Sequence, residues 1–147
     1  MWITEDLRVG CWIETAEDAI LRAGEQVRAL RATHRIEEFI YDPWRARQGA
    51  LELEAEGVRG VELPQTDVRM VPASAGLRAA IVEKRIQLPS DADLTRHAGN
   101  AVAQHSRRGW RIGSPARGVQ VDGIVALAMA VERAEHQPAP ARLLGVL

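Results

Sequence analysis

The chain has 147 residues, 46% of them hydrophobic and 27% charged, with a formal net charge of -1. That is the size and balance of one globular domain with a single core, and any contact with nucleic acid must come from a local basic surface rather than from overall charge. No apolar run approaches the ~20 residues that span a bilayer, the opening Met1-Trp2-Ile3-Thr4-Glu5-Asp6 lacks the pattern of a secretory signal, and the lone Cys11 excludes an internal disulfide and a CxxC zinc site, in keeping with a cytoplasmic setting.

Leu7 to Ile13 reads as a short strand. Thr15 is a plausible N-cap, and Ala19, Ile20, Ala23, Val27 and Leu30 follow at helical spacing. Glu37 to Tyr41 reads as a strand, central in its sheet, that stops at Asp42-Pro43. A second helix is predicted from Ala46 to Glu56, ended by Gly57. Val58 to Leu63 is a strand candidate closed by Pro64. Ala75 to Lys84 reads as a helix with Ser74 as its possible N-cap. Ile86 to Leu88 is a very short strand. Asp91 or Asp93 caps a helix through Gln104, and Gly109 to Gly113 is a strand or hairpin arm. Val121 to Glu135 is the clearest helix, apolar on most faces, and should pack on the sheet. Residues 1–136 form the domain and 137–147 a tail. Strands alternating with helices predict an α/β domain with parallel pairing in its early crossovers.

Asp42 sits where the strand Phe39-Ile40-Tyr41 ends, the place where open α/β sheets carry their sites. A carboxylate there can hold a divalent cation; the plainer reading is an Asp-Pro turn. Asp122 opens the last helix, either as a cap or as a carboxylate fixed near a strand end. Between Leu94 and Gly118 there is no acidic residue, while Arg96, Arg107, Arg108, Arg111 and Arg117 fall in that span. Arg107, Arg108 and Arg111 are the candidate phosphate contacts; the alternative is ordinary solvated charge. His97 and Asn100 lie one helical turn apart and can share a face behind a metal or phosphate, or simply belong to a polar helix surface. Motifs for zinc hydrolysis, a serine nucleophile or a phosphate loop do not occur.

Four segments in order carry a resemblance. Tyr41-Asp42-Pro43-Trp44-Arg45-Ala46 is similar to the second acidic motif of phage terminase large-subunit nuclease domains. Leu63-Pro64-Gln65-Thr66 resembles their strand exit, Leu94 to Ala101 their L-x-x-H-x-x-N-A segment, and Val121 to Ala130 their closing I-D-x-x-x-A-x-x-M-A helix. The resemblance runs from about Trp12 to Ala134. It implies a ribonuclease-H-like α/β fold, a mixed sheet flanked by helices, and metal-dependent cleavage of duplex DNA during genome packaging. It also implies a two-ion Mg²⁺ or Mn²⁺ site in which Asp42 and Asp122 are the second and third acidic ligands, with His97 and Asn100 behind them.

The chain departs from that pattern at its start. The family's first aspartate lies on an opening strand that this chain begins too late to include, and no motor domain is present. Glu5, Asp6 and Glu14 stand in no matching motif. The expectations are therefore an incomplete metal site, duplex DNA and the remaining terminase or portal components as partners, self-association over an uncovered sheet edge, no membrane, and a phage or prophage product in the host cytoplasm. Two other readings stay open: a non-catalytic DNA-binding or assembly module, and a resolvase-like nuclease.

Overall fold

A computed structural model of the chain describes residues 2–4, 8–9, 19–88 and 90–136. The Thr15 cap, most of the Leu7 to Ile13 segment and the tail lie outside the described residues. In chain order the elements are β1 (Trp2–Thr4), β2 (Arg8–Val9), α1 (Ala19–Arg31), β3 (Phe39–Tyr41), α2 (Pro43–Ala55), β4 (Gly60–Glu62) and α3 (Asp67–Val82). There follow β5 (Ile86–Gln87), α4 (Ala92–Asn100), β6 (Val102–Ser106), β7 (Gly109–Gly113) and α5 (Asp122–Glu135). None of the described helices is long and apolar enough to cross a membrane.

The mixed pairing expected of the sheet is present, divided among the described residues into three ladders. β1 pairs antiparallel with β2 and β5, β3 pairs parallel with β4, and β6 pairs antiparallel with β7. β3 has one partner among the described residues, so the central position expected for it is not observed there. The helix α2 between β3 and β4 makes their parallel pairing possible, because parallel neighbours need a crossover connection.

Three expected boundaries move. α2 begins at Pro43 rather than Ala46, because Asp42 caps it and proline's fixed φ suits a first helical turn. α3 begins at Asp67, eight residues before Ala75, and runs through Pro72. Ser74 is therefore no cap. It is fully buried, its hydroxyl donates to the Met70 carbonyl at 2.6 Å, and it accepts the Ile112 N–H at 2.9 Å, tying β7 to α3. α4 stops at Asn100 rather than Gln104, because Val102 to Ser106 is taken up by the β6–β7 hairpin.

The main core joins α3, α4 and α5. Met70, Ala73, Leu77, Leu127, Ala128 and Val131 are among its most deeply buried residues, and Ile40 of β3 and Ile112 of β7 pack against it. α5 buries Gly123, Ile124, Val125, Leu127, Ala128, Met129, Ala130 and Val131, so every face of its middle turns is covered, as its all-round apolarity predicts. Each large side chain so buried contributes roughly 1.5–3 kcal/mol relative to exposure. A smaller core of Val27, Leu53 and Val58, with Ile36 and Phe39 beside it, lies under α1 and α2.

Two helices end in the same hydrogen-bonded motif. In α2, the Gly57 N–H donates to the Glu54 carbonyl and the Val58 N–H to Leu53, with Gly57 at φ 85. In α3, the Lys84 N–H donates to Ile81 and the Arg85 N–H to Ala80, but the left-handed position, φ 59, is held by Lys84. A side chain there is strained where glycine is not. Lys84→Gly should stabilise the domain by about 0.5–1 kcal/mol, read as a shift of the urea midpoint with an unchanged slope. A neutral or destabilising result would show that Lys84 is not strained.

Glu38, immediately before β3, holds an ion pair of consequence. Its carboxylate, 5% exposed, accepts from Arg133 at 2.5 and 2.8 Å and lies 3.0 Å from Arg59. The hydrogen bond from Arg133 is the main reason the Glu38 carboxyl titrates below its ordinary range, with the charges of Arg133 and Arg59 adding to it. A lowered carboxyl pKa stabilises the fold above the unfolded value, and that stability is lost as pH falls through the folded value. Glu38→Gln should therefore be less stable than the native chain at neutral pH, with the gap closing below roughly pH 4. Denaturant midpoints across that range check this; a gap independent of pH would contradict it.

Candidate functional site

β3 delivers Asp42 to its carboxyl end. Pro43 cannot donate to a ladder, so the strand stops and Asp42, at φ -81 and ψ 121, turns the chain into α2. Its Oδ1 accepts the Trp44 N–H at 3.1 Å. That is the turn-forming role the residue types suggest, and it leaves Oδ2 with no partner among the described residues. The parallel register sets the end of β4 beside it: the Leu63 N–H donates to the Tyr41 carbonyl at 2.9 Å, and the Tyr41 hydroxyl reaches Glu62 at 3.3 Å.

Asp122 is exposed in the first turn of α5. The N-cap is Val121, which has no capping side chain. The start of this helix is instead secured from α4. His97, 1% exposed, accepts the Gly123 N–H at its Nδ1, 3.0 Å away. The ring is thereby held as the tautomer protonated at Nε2. Asn100, one turn on, donates from Nδ2 to the Gln120 carbonyl at 3.1 Å, and Arg96 donates to the Gln120 side chain at 2.9 Å. α4 itself is capped by Asp91, whose Oδ1 accepts the Leu94 N–H at 2.7 Å. His97 and Asn100 share one face, as their spacing predicts, and they bear on the backbone that carries Asp122.

The candidate phosphate contacts divide. Arg107 and Arg108 form the exposed two-residue turn of the β6–β7 hairpin, closed by the Ser106–Gly109 pair. Gly109 takes φ 131 there, a backbone conformation strained for any side chain, and a Cβ would also press on the Val71 side chain of α3 at 3.1 Å. Arg111 points elsewhere. It pairs with Asp67 at 3.1 Å and donates to the Gln65 carbonyl at 3.2 Å, which fastens β7 to the chain leaving β4. Asp67 and Ser74 were not legible as partners of β7, because each bond spans separate elements. A first-turn acid after Thr66 was the only local hint of Asp67.

No group of three or more His, Cys, Asp or Glu among the described residues is arranged to hold a metal ion. Asp42 and Asp122 offer hard oxygen donors of the type Mg²⁺ and Mn²⁺ take. They match such a cation in chemistry, but as a pair they leave its ligand set incomplete.

No family profile matches the sequence, and neither does any curated protein. Solved structures do match the fold. The crystal structure of the HK97 bacteriophage large terminase superimposes with a TM-score of 0.65 at 23% identity, over 76% of this chain and 24% of that one. The large terminase nuclease from the thermophilic phage G20c superimposes with a TM-score of 0.64 at 19% identity, over 82% of this chain and 64% of that one. The chain shares an α/β, ribonuclease-H-like fold with these two structures and spans only part of either protein.

The buried His97 bond makes a direct prediction. His97→Ala leaves the Gly123 N–H without this acceptor and opens a cavity, and should cost about 2 kcal/mol or more. Asn100→Ala, which removes a partly buried bond, should cost nearer 1 kcal/mol. Urea unfolding of the two variants checks the order; equal and negligible losses would mean that α4 does not secure the start of α5.

Proposed function

We propose that this chain is a metal-dependent DNA endonuclease module of the large-terminase kind, with Asp42 and Asp122 as its cation ligands and an incomplete site when alone. The supporting observation is the placement of the two acids on a fold shared with two large terminases, one at the end of β3 and one at the start of α5. Arg133, in the last turn of α5, binds Glu38, at the opposite end of β3 from Asp42. From that ion pair, α5 leads back to Asp122 over roughly 16 Å at ~1.5 Å per residue. β3 leads forward to Asp42 over roughly 13 Å at ~3.3 Å per residue. On this reading α5 runs antiparallel to β3, so that two arms of similar length would bring both carboxylates to one end of the domain.

Asp42 and Asp122 would hold a divalent cation there, which would supply activation of the attacking water and stabilisation of the leaving oxygen. The protein's part is positional. The His97 and Asn100 bonds hold the first turn of α5, and with it Asp122. The Trp44 N–H orients the Asp42 carboxylate. Arg107 and Arg108 supply charge to the phosphate backbone from the hairpin turn, while Arg111 braces that hairpin through Asp67.

Thermal unfolding with and without Mn²⁺ tests the site. Binding at tenfold excess over Kd should stabilise by about 1.4 kcal/mol, and both Asp42→Asn and Asp122→Asn should abolish the shift. A shift surviving both substitutions would place the cation elsewhere. Cleavage of duplex DNA by the isolated chain should be slow or absent, since two acids make a weak site.

DNA affinity should fall steeply with salt, and the double variant Arg107→Ala, Arg108→Ala should flatten the logarithmic slope by roughly 2. An unchanged slope would reduce these arginines to solvated surface charge.

A further inference from the structure

Trp44 is 86% exposed, the most exposed of the large hydrophobic side chains among the described residues. An indole left in water forgoes a large burial gain, since aromatic side chains bury about 150–250 Å² each when covered. Nor is it loosely attached. The main chain beneath the ring is fixed: the Trp44 backbone N–H is held by the Asp42 carboxylate at 3.1 Å, and Pro43 before it sets the backbone at the first position of α2. The same turn thus carries a candidate cation ligand and a bare aromatic ring.

The surroundings select the occupant. From Pro43 to Leu51 the sequence has two arginines, Arg45 and Arg47, and no acid. Arg47 lies three residues after Trp44, one helical turn along the same face, and is 70% exposed, with Glu62 only at 3.8 Å. Acids resume at Glu52, so positive charge is confined to the half of α2 nearest Asp42. An aromatic ring with an adjacent guanidinium is how proteins hold an unstacked base and its phosphate. Bases inside an intact duplex present no free face, whereas a single-stranded extension beside a cut does.

We infer that Trp44 is a stacking platform for an unpaired nucleobase at the DNA end nearest the Asp42 turn, with Arg47 on the neighbouring phosphate. The chain would then prefer DNA with a single-stranded end over a blunt duplex. This inference rests on the nuclease reading but can fail separately from it.

The test is fluorescence anisotropy of two labelled DNA hairpins, one blunt and one with a three-nucleotide extension, in EDTA so that cation binding plays no part. The native chain should bind the extended hairpin about tenfold more tightly, the effect of one stacked base at ~1–3 kcal/mol. Trp44→Ala should erase that preference without changing the salt slope, and Trp44→Phe should keep most of it. Arg47→Gln should weaken both complexes and lower the slope by about 1. Circular dichroism establishes that each variant is folded. If the native chain binds the two hairpins equally, or Trp44→Ala retains the preference, the stacking role is wrong while DNA binding stands. If the native chain binds neither hairpin at low salt, the nuclease reading fails as well.

Discussion

The axial position of α5 is the constraint on which the rest of the domain depends. The helix is buried on all faces of its middle turns, so it can slide or rotate only by disrupting the packing of α3 and α4 around it. Both ends are also tied by polar bonds. The buried imidazole of His97 takes an N–H of the first turn, and the Glu38 carboxylate grips Arg133 in the last. Apolar packing gives α5 its stability but little direction along its own axis. The two polar ties supply the direction, and Asp122 inherits its position from them.

The hairpin shows a related division of labour. β7 lies on α3, where the buried Ser74 hydroxyl meets the Ile112 N–H and Asp67 holds Arg111. β6 stands outside it, with most of its residues exposed. The anchored strand thus presents Arg107 and Arg108 on a short, braced arm. A rigid arm loses less conformational entropy on meeting a phosphate backbone than a free basic tail would. The acid-free stretch that looked uniform in sequence therefore has two kinds of arginine, structural at Arg111 and free to bind at the turn.

Much of this was legible in the residues themselves. Gly57 marked the end of α2, Asp42-Pro43 the end of β3, and the apolar run after Asp122 a buried helix, because each signal is local in the chain. The four ordered segments anticipated the fold. The start of α3 was misplaced because Ser74 is a residue type that caps helices, yet packing of Met70, Ala73 and Leu77 carries the helix back through Pro72 to Asp67. The end of α4 was misplaced because Ala101 to Gln104 suits either state, and only pairing with β7 decides for a strand. The pairs Glu38–Arg133, Arg111–Asp67 and Ser74–Ile112 join distant segments, so no local spacing could announce them. His97 was singled out by spacing, but its partner, a backbone N–H of α5, was not.

The central claim is that Asp42 and Asp122 meet at one end of the domain around a shared cation. Crystals of the chain grown in Mn²⁺, with anomalous scattering measured near the manganese edge, test it most directly. The account predicts an anomalous peak in contact with both carboxylates, at the end of β3 remote from the Glu38–Arg133 pair. Carboxylates at opposite ends of the domain, or a peak that touches neither, would contradict it.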